Sequence, residues 1–86
     1  MPEISRFYGI VVRMYWDDHL PPHFHAFYGD SEALIDFQRV EVYAGHLPPR
    51  ALNLVMEWTV LHRDELLNLW KAARRQDTLW KVEPLA

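Results

Sequence analysis

Apolar residues recur at two different periods along this chain, close to two in the first half and close to that of a helix in the second. Ile10 to Trp16 (Ile-Val-Val-Arg-Met-Tyr-Trp) is dense in β-branched and aromatic residues, follows a glycine and precedes Asp17-Asp18, so it reads as a strand. Ile4 to Tyr8 extends it, with Gly9 as a bend or bulge. Beyond Pro21-Pro22, His23 to Tyr28 is a second strand, Gly29-Asp30 is a two-residue hairpin signal, and Glu32 to Phe37 is a third strand. Val40 to Ala44 makes a short fourth after a turn near Gln38-Arg39, and Gly45 closes the sheet. The runs are too closely spaced for parallel crossovers, so the expected connection is an antiparallel meander of three to four strands.

A two-residue turn fixes which residues face each other: Tyr28 opposite Ser31, Phe27 opposite Glu32, His25 opposite Leu34 and His23 opposite Asp36. One face of this hairpin then carries Phe24, Ala26, Ala33, Ile35 and Phe37, a core pattern. The other carries His23, His25, Phe27, Glu32 and Asp36, which makes it the more polar and half-exposed face.

From Pro48 or Pro49 a helical stripe runs through Leu52, Val55, Thr59, His62, Leu66, Leu69, Trp70 and Ala73, widened by Leu54, Trp58 and Leu61. As one helix it would be roughly 40 Å long, at about 1.5 Å per residue. A domain of this length has a radius of gyration of roughly 12 Å. Either the helix breaks near His62-Arg63-Asp64, where Asp64 and Glu65 suit a new first turn, or its far end packs on a partner. Leu79-Trp80-Lys81-Val82 suffices for a short edge strand or an extended arm that docks on the domain or on a second protein. The expected fold is therefore α+β over a single domain, 1–86: the meander, then a long or kinked C-terminal helix, or two helices, packed on one face.

Composition narrows this picture. Half of the 86 residues are apolar, enough for one core. There is no cysteine, so a metal would be held by imidazole and carboxylate. The N-terminus does not read as a signal peptide and no apolar run is long enough for a membrane span, so the expected location is the cytoplasm. The formal charge of -3 argues against general binding to DNA or other phosphate backbones.

Chemistry concentrates between Asp17 and His25, Asp-Asp-His-Leu-Pro-Pro-His-Phe-His, which holds three of the chain's five histidines. His23 and His25 project from the same face of a strand, and His19 can fold over its beginning. Three readings stay open. In a metal-free site, His23 with Asp36 forms a base and its orienting carboxylate, while His25 or Arg13 stabilises charge on a phosphate, for which an RNA phosphodiester is a candidate. In a metal site, His19, His23 and His25 are the ligands, with Asp17, Asp18 or Asp36 as a further carboxylate. In the third reading the histidines only brace the sheet. No cofactor is specified by any of these patterns, His46 reads as solvated, and His62 as a core or helix-end histidine.

Three segments carry a family resemblance: Ile4 to Tyr15, Asp18 to Ala26 (Asp-His-Leu-Pro-Pro-His-Phe-His-Ala) and Glu57 to Leu67 (Glu-Trp-Thr-Val-Leu-His-Arg-Asp-Glu-Leu-Leu). In this order they resemble a small bacterial family catalogued as domain of unknown function 4160. That family's histidine motif falls on Asp18, His19, Pro21, Pro22, His23, His25 and Ala26, and its helical motif on Trp58 and His62 to Leu66. The resemblance implies the toxin of a type II toxin–antitoxin module, encoded beside a small antitoxin of the domain of unknown function 2442 type. The alternative expectation is a non-catalytic binding module, in which the long helix and the C-terminal arm form a homodimer or an adaptor surface.

Overall fold

The computed structural model describes residues 2–86. Five antiparallel strands come first: β1 (Glu3–Phe7), β2 (Ile10–Arg13), β3 (His23–Tyr28), β4 (Ser31–Asp36) and β5 (Glu41–Gly45). Two helices follow, α1 (Pro49–Leu61) and α2 (Arg63–Arg74). The strands lie side by side in chain order, so the sheet is a plain meander. The α+β class agrees with the sequence pattern, but the expected three to four strands become five.

The extra strand comes from Tyr8-Gly9, which is a turn and not a bend within one strand. Phe7 faces Ile10, and both loop residues have positive φ, 50° for Tyr8 and 79° for Gly9. That is the conformation of a type I′ hairpin turn, for which Asn or Gly is the usual first residue. A tyrosine in that position gives little signal. β2 is also shorter than the expected Ile10 to Trp16, because the chain leaves the ladder after Arg13. The β3–β4 register is the expected one, His23 opposite Asp36 and His25 opposite Leu34.

The core lies between one face of this sheet and the helices. Phe24 meets Trp58 edge to face at 5.5 Å, Phe7 lies 5.4 Å from the same indole, and Phe37 lies 6.5 Å from Trp70. Val55, Trp58, Thr59, Leu66, Leu69, Trp70 and Ala73 are buried as the stripe requires. Leu61 is not; it is exposed, because the helix ends there.

The break falls at His62, whose φ of -122° is not helical. Its N–H donates back to Trp58 and Thr59, its carbonyl accepts from Leu66, and Asp64 and Glu65 occupy the positive end of the new helix. Folding back in this way keeps the radius of gyration at 11.6 Å. His62 is thus a helix-end residue whose ring lies tilted against Trp58 at 5.4 Å, and His46 is exposed.

The C-terminal residues form an extended arm and no strand. Val82 donates to the Ile4 carbonyl at 2.7 Å, Ser5 Oγ donates to the Val82 carbonyl, and Trp58 Nε1 donates to the Glu83 carbonyl. Lys81 also faces Glu3, whose carboxyl is lowered to about 2, chiefly by its hydrogen bonds from Arg6. The arm therefore covers β1 and the indole at the centre of the core.

At Gly45 the backbone of β5 runs hard against that of β4. Its φ is 79°, and a Cβ there would collide with the carbonyl oxygen of Glu32 and lie 3.1 Å from Ala33 Cα. Gly29, also at positive φ, has nothing within 4 Å of that position. Gly45→Ala is expected to cost at least about 2 kcal/mol in urea unfolding, and Gly29→Ala only about 1 kcal/mol, the left-handed penalty alone. Equal costs for the two would mean that the β4–β5 contact is looser than described.

Candidate functional site

The loop from Met14 to Pro22 is held down at both ends. Met14 is buried and its N–H donates to the Pro2 carbonyl. Further along, Trp16 Nε1 donates to the Asp77 carbonyl at 2.8 Å, Gln76 donates to the Asp17 carboxylate, and Arg74 Nη1 donates to the Asp18 carbonyl. The residues that end α2 thereby fix the segment carrying Asp18 over the start of β3.

Around Asp18 stand the three histidines of the loop and strand. Nε2 of His25 lies 3.0 Å from Asp18 Oδ2, Nε2 of His23 lies 3.1 Å from the same oxygen, and Nε2 of His19 lies 3.7 Å from Oδ1. Each ring is held by its other nitrogen. His23 Nδ1 pairs with the Pro21 carbonyl at 2.7 Å, His19 Nδ1 with the Leu20 carbonyl at 3.2 Å, and His25 Nδ1 with Glu32 Oε2 at 3.0 Å. A carbonyl oxygen can only accept, so the ring protons of His19 and His23 are on Nδ1. In the neutral rings, Nε2 is then a lone pair directed at a carboxylate.

The surroundings differ from ring to ring. His23 is buried, packed 4.9 Å from His19, 5.5 Å from Trp70 and 5.7 Å from Tyr43. The half-exposed polar face expected for it is therefore covered at this end, by the loop and by the last turns of α2. His25 stays partly open, between Arg13 on β2 and Leu34 on β4, with Tyr15 edge-on at 4.5 Å. His19 lies at the surface.

The expected dyad of His23 with Asp36 does not form, although the two residues do face each other. Asp36 Oδ1 accepts the backbone N–H groups of Gln38 and Arg39, both at 3.0 Å, and so closes the turn after β4. The carboxylate that meets His23 is Asp18. Glu32, placed by the register diagonally from His25 on the same face, is a second partner that the sequence reading left out of the site. His19, expected as the third metal ligand, is the least enclosed of the three, and Asp18 takes the central place.

Burial pushes the Asp18 carboxyl up, but it is outweighed by the hydrogen bond with His25, the His19 N–H and the charges of His23 and His25, so the group is held below its ordinary value. With the folded value depressed, the stability Asp18 contributes is present above the usual carboxylate range and is lost as the pH falls through it. Arg13 lies over the Phe27 ring at 5.4 Å and has no carboxylate partner among the described residues. A separate hollow of about 550 Å³ at the helix junction, lined by Val60, Leu61 and Arg63 among others, contains none of these residues.

A small α+β protein with an imidazole–carboxylate centre at one end of its sheet is the class that this geometry defines. The chain belongs to the family described as domain of unknown function (DUF4160), whose model matches residues 9–71, a span that takes in the whole histidine loop and most of both helices. Neither the curated proteins nor the solved structures contain a match to it.

If Asp18 is the carboxylate that organises the site, Asp18→Asn should shift the ring ¹⁵N resonances of both His23 and His25, while His23 keeps its proton on Nδ1. Asp36→Asn should leave those resonances in place and cost about 1 kcal/mol through its weakened turn. A His23 ring that responds to Asp36→Asn and not to Asp18→Asn would restore the cross-strand dyad.

Proposed function

We propose that this chain is the toxin of a bacterial type II toxin–antitoxin module, a cytoplasmic protein paired with a small antitoxin of the domain of unknown function 2442 type, and that it acts through the Asp18–His23–His25 centre on an RNA phosphodiester. The role in the module rests on the resemblance of its three motifs in order. The observation that supports this centre as the working one is the position of His25, tied to carboxylates through both nitrogens yet partly open to solvent. Across the strand pair from it stands Arg13, whose positive charge no carboxylate neutralises among the described residues. Electron pairs on one side and an unpaired guanidinium on the other suit a phosphate group, whose charge the arginine meets while the centre handles the proton. The net charge of -3 makes such recognition local, with no extended basic surface.

Apolar side chains left outside the core supply surface for the antitoxin: Val60 and Leu61 at the helix junction, and Val42 and Tyr43 on the outermost strand. β5 is the unpaired edge of the sheet opposite the one the arm covers, so a partner strand could add to it.

Expression of the chain alone should slow bacterial growth, and co-expression of the neighbouring small protein should restore it. His25→Gln, at a partly open position, should relieve the growth defect by at least about tenfold in surviving colonies while the protein stays soluble, because loss of a proton-transfer group slows a reaction by about 10²–10⁴-fold. Undisturbed growth at verified soluble expression overturns the toxin reading. A His25→Gln variant as harmful as the parent would leave the histidines as a brace and favour an adaptor that works by binding alone.

A further inference from the structure

We infer that the centre is a site for one divalent first-row transition metal ion, held by Nε2 of His23, Nε2 of His25 and Oδ2 of Asp18. This deepens the functional reading above and rests on it only in taking these residues as the working centre.

The first observation is geometric. The three atoms lie within 4.8 Å of one another, and the two edges that meet at Asp18 Oδ2 measure 3.0 and 3.1 Å. Metal bonds of about 2.0–2.1 Å to imidazole and carboxylate leave neighbouring ligand atoms about 2.9 Å apart in an octahedron and about 3.4 Å apart in a tetrahedron, so those two edges fall in the range a shared ion accepts. The third edge, between the two histidine nitrogens, is set by strand spacing and side-chain rotation.

The second observation is independent of the distances. His23 Nε2 is buried and has no hydrogen-bond partner among the described residues, despite its closeness to Asp18. Its Nδ1 proton is committed to the Pro21 carbonyl, so in the neutral ring a lone pair faces a carboxylate lone pair in a place that water does not reach. Two such groups repel unless something positive lies between them. A proton on each Nε2 would relieve the repulsion with two separate charges; one divalent ion relieves it at all three atoms together.

The outer contacts agree. Metal-bound histidines usually donate their second nitrogen to a carbonyl or carboxylate, which fixes the ring. His23 does so to Pro21 and His25 to Glu32. Two imidazoles and one carboxylate, with no sulfur, select zinc, iron, cobalt, nickel or manganese over copper(I), and are too few oxygens for calcium or magnesium. At least one position is left for water or substrate, and His19, stacked on His23 and 3.7 Å from Asp18 Oδ1, borders it. A bound ion there would supply an activated water and a Lewis acid.

The test uses the full chain without a histidine tag, stripped with chelator and titrated calorimetrically with Zn²⁺, Co²⁺, Ni²⁺, Mn²⁺ and Fe²⁺ (the last anaerobically), with Mg²⁺ as control. Expected is saturable binding of one equivalent of at least one transition ion, visible absorption bands on Co²⁺ binding, and no binding of Mg²⁺. Asp18→Asn and His25→Gln should each weaken binding by at least about 100-fold, and Glu32→Gln, which loosens the His25 ring, by about tenfold. Asp36→Asn should bind as the parent does. Circular dichroism confirms that each variant is folded, and because His25 is partly open, its substitution serves where one of buried His23 would unfold the chain.

No saturable binding of any of these ions by folded protein, or binding that survives both Asp18→Asn and His25→Gln, overturns the metal site. The growth experiment is separate: binding by a protein that does no harm keeps the site and removes the toxin, and harm that depends on His25 in a protein that binds no ion does the reverse.

Discussion

Asp18 has three imidazoles around a single carboxylate, and much of the rest of the chain is arranged to keep it there. A loop residue flanked by polar side chains would ordinarily turn to water, where a carboxylate is best solvated. Here the loop is tied to the far end of α2 through Trp16, Asp17 and the Asp18 carbonyl, so the carboxylate points inward over β3. That tie requires α2 to end in the right place, which in turn requires the break at His62. A single straight helix from Pro49 would carry Arg74 and Gln76 far past the sheet.

The break and the arm are both settled around Trp58. Its indole is fully buried between Phe7, Phe24 and His62, and the one polar atom of the ring donates to the Glu83 carbonyl. Without the arm that N–H would be an orphan in the core, at a cost of about 1–3 kcal/mol. The last residues are thus part of the same structure that positions the site: arm over Trp58, Trp58 beneath the helix junction, and α2 over the loop.

Much of this was legible in the chain. The Gly29-Asp30 turn fixed the β3–β4 register residue for residue, and the Asp64-Glu65 pair marked the second helix start. What escaped had local physical reasons. Tyr8 at positive φ hid a hairpin turn. Asp36 sits opposite His23 but answers a nearer demand, the two free N–H groups of its own turn, and a short side chain cannot serve both. Asp18 lies in a loop, where no periodicity says which way a side chain points. It was named only as one of three candidate carboxylates, with Asp17 and Asp36, and its place in the family motif, directly before His19, was the one signal that set it apart. Glu32 was on the correct face by register, and only the diagonal spacing to His25 could have marked it.

A bracing role for the histidines fits this arrangement poorly. A brace works by completing hydrogen bonds, and the His23 side is left incomplete: one nitrogen satisfied, the other buried and facing an acceptor. An unpartnered buried polar atom costs about 1–3 kcal/mol. Total stability for a domain is only about 5–15 kcal/mol. An apolar residue at the position of His23, packed on Trp70 and Tyr43, would remove that cost and hold the sheet as well. His25 and Glu32 add a second imidazole with its own outer anchor on the next outward-facing position of the strand, aimed at the same oxygen. An orphaned nitrogen at His23, directed at the same oxygen that His25 already holds by a hydrogen bond, is hard to account for by packing. It is accounted for if the electron pairs are meant to meet something positive that arrives from outside the chain.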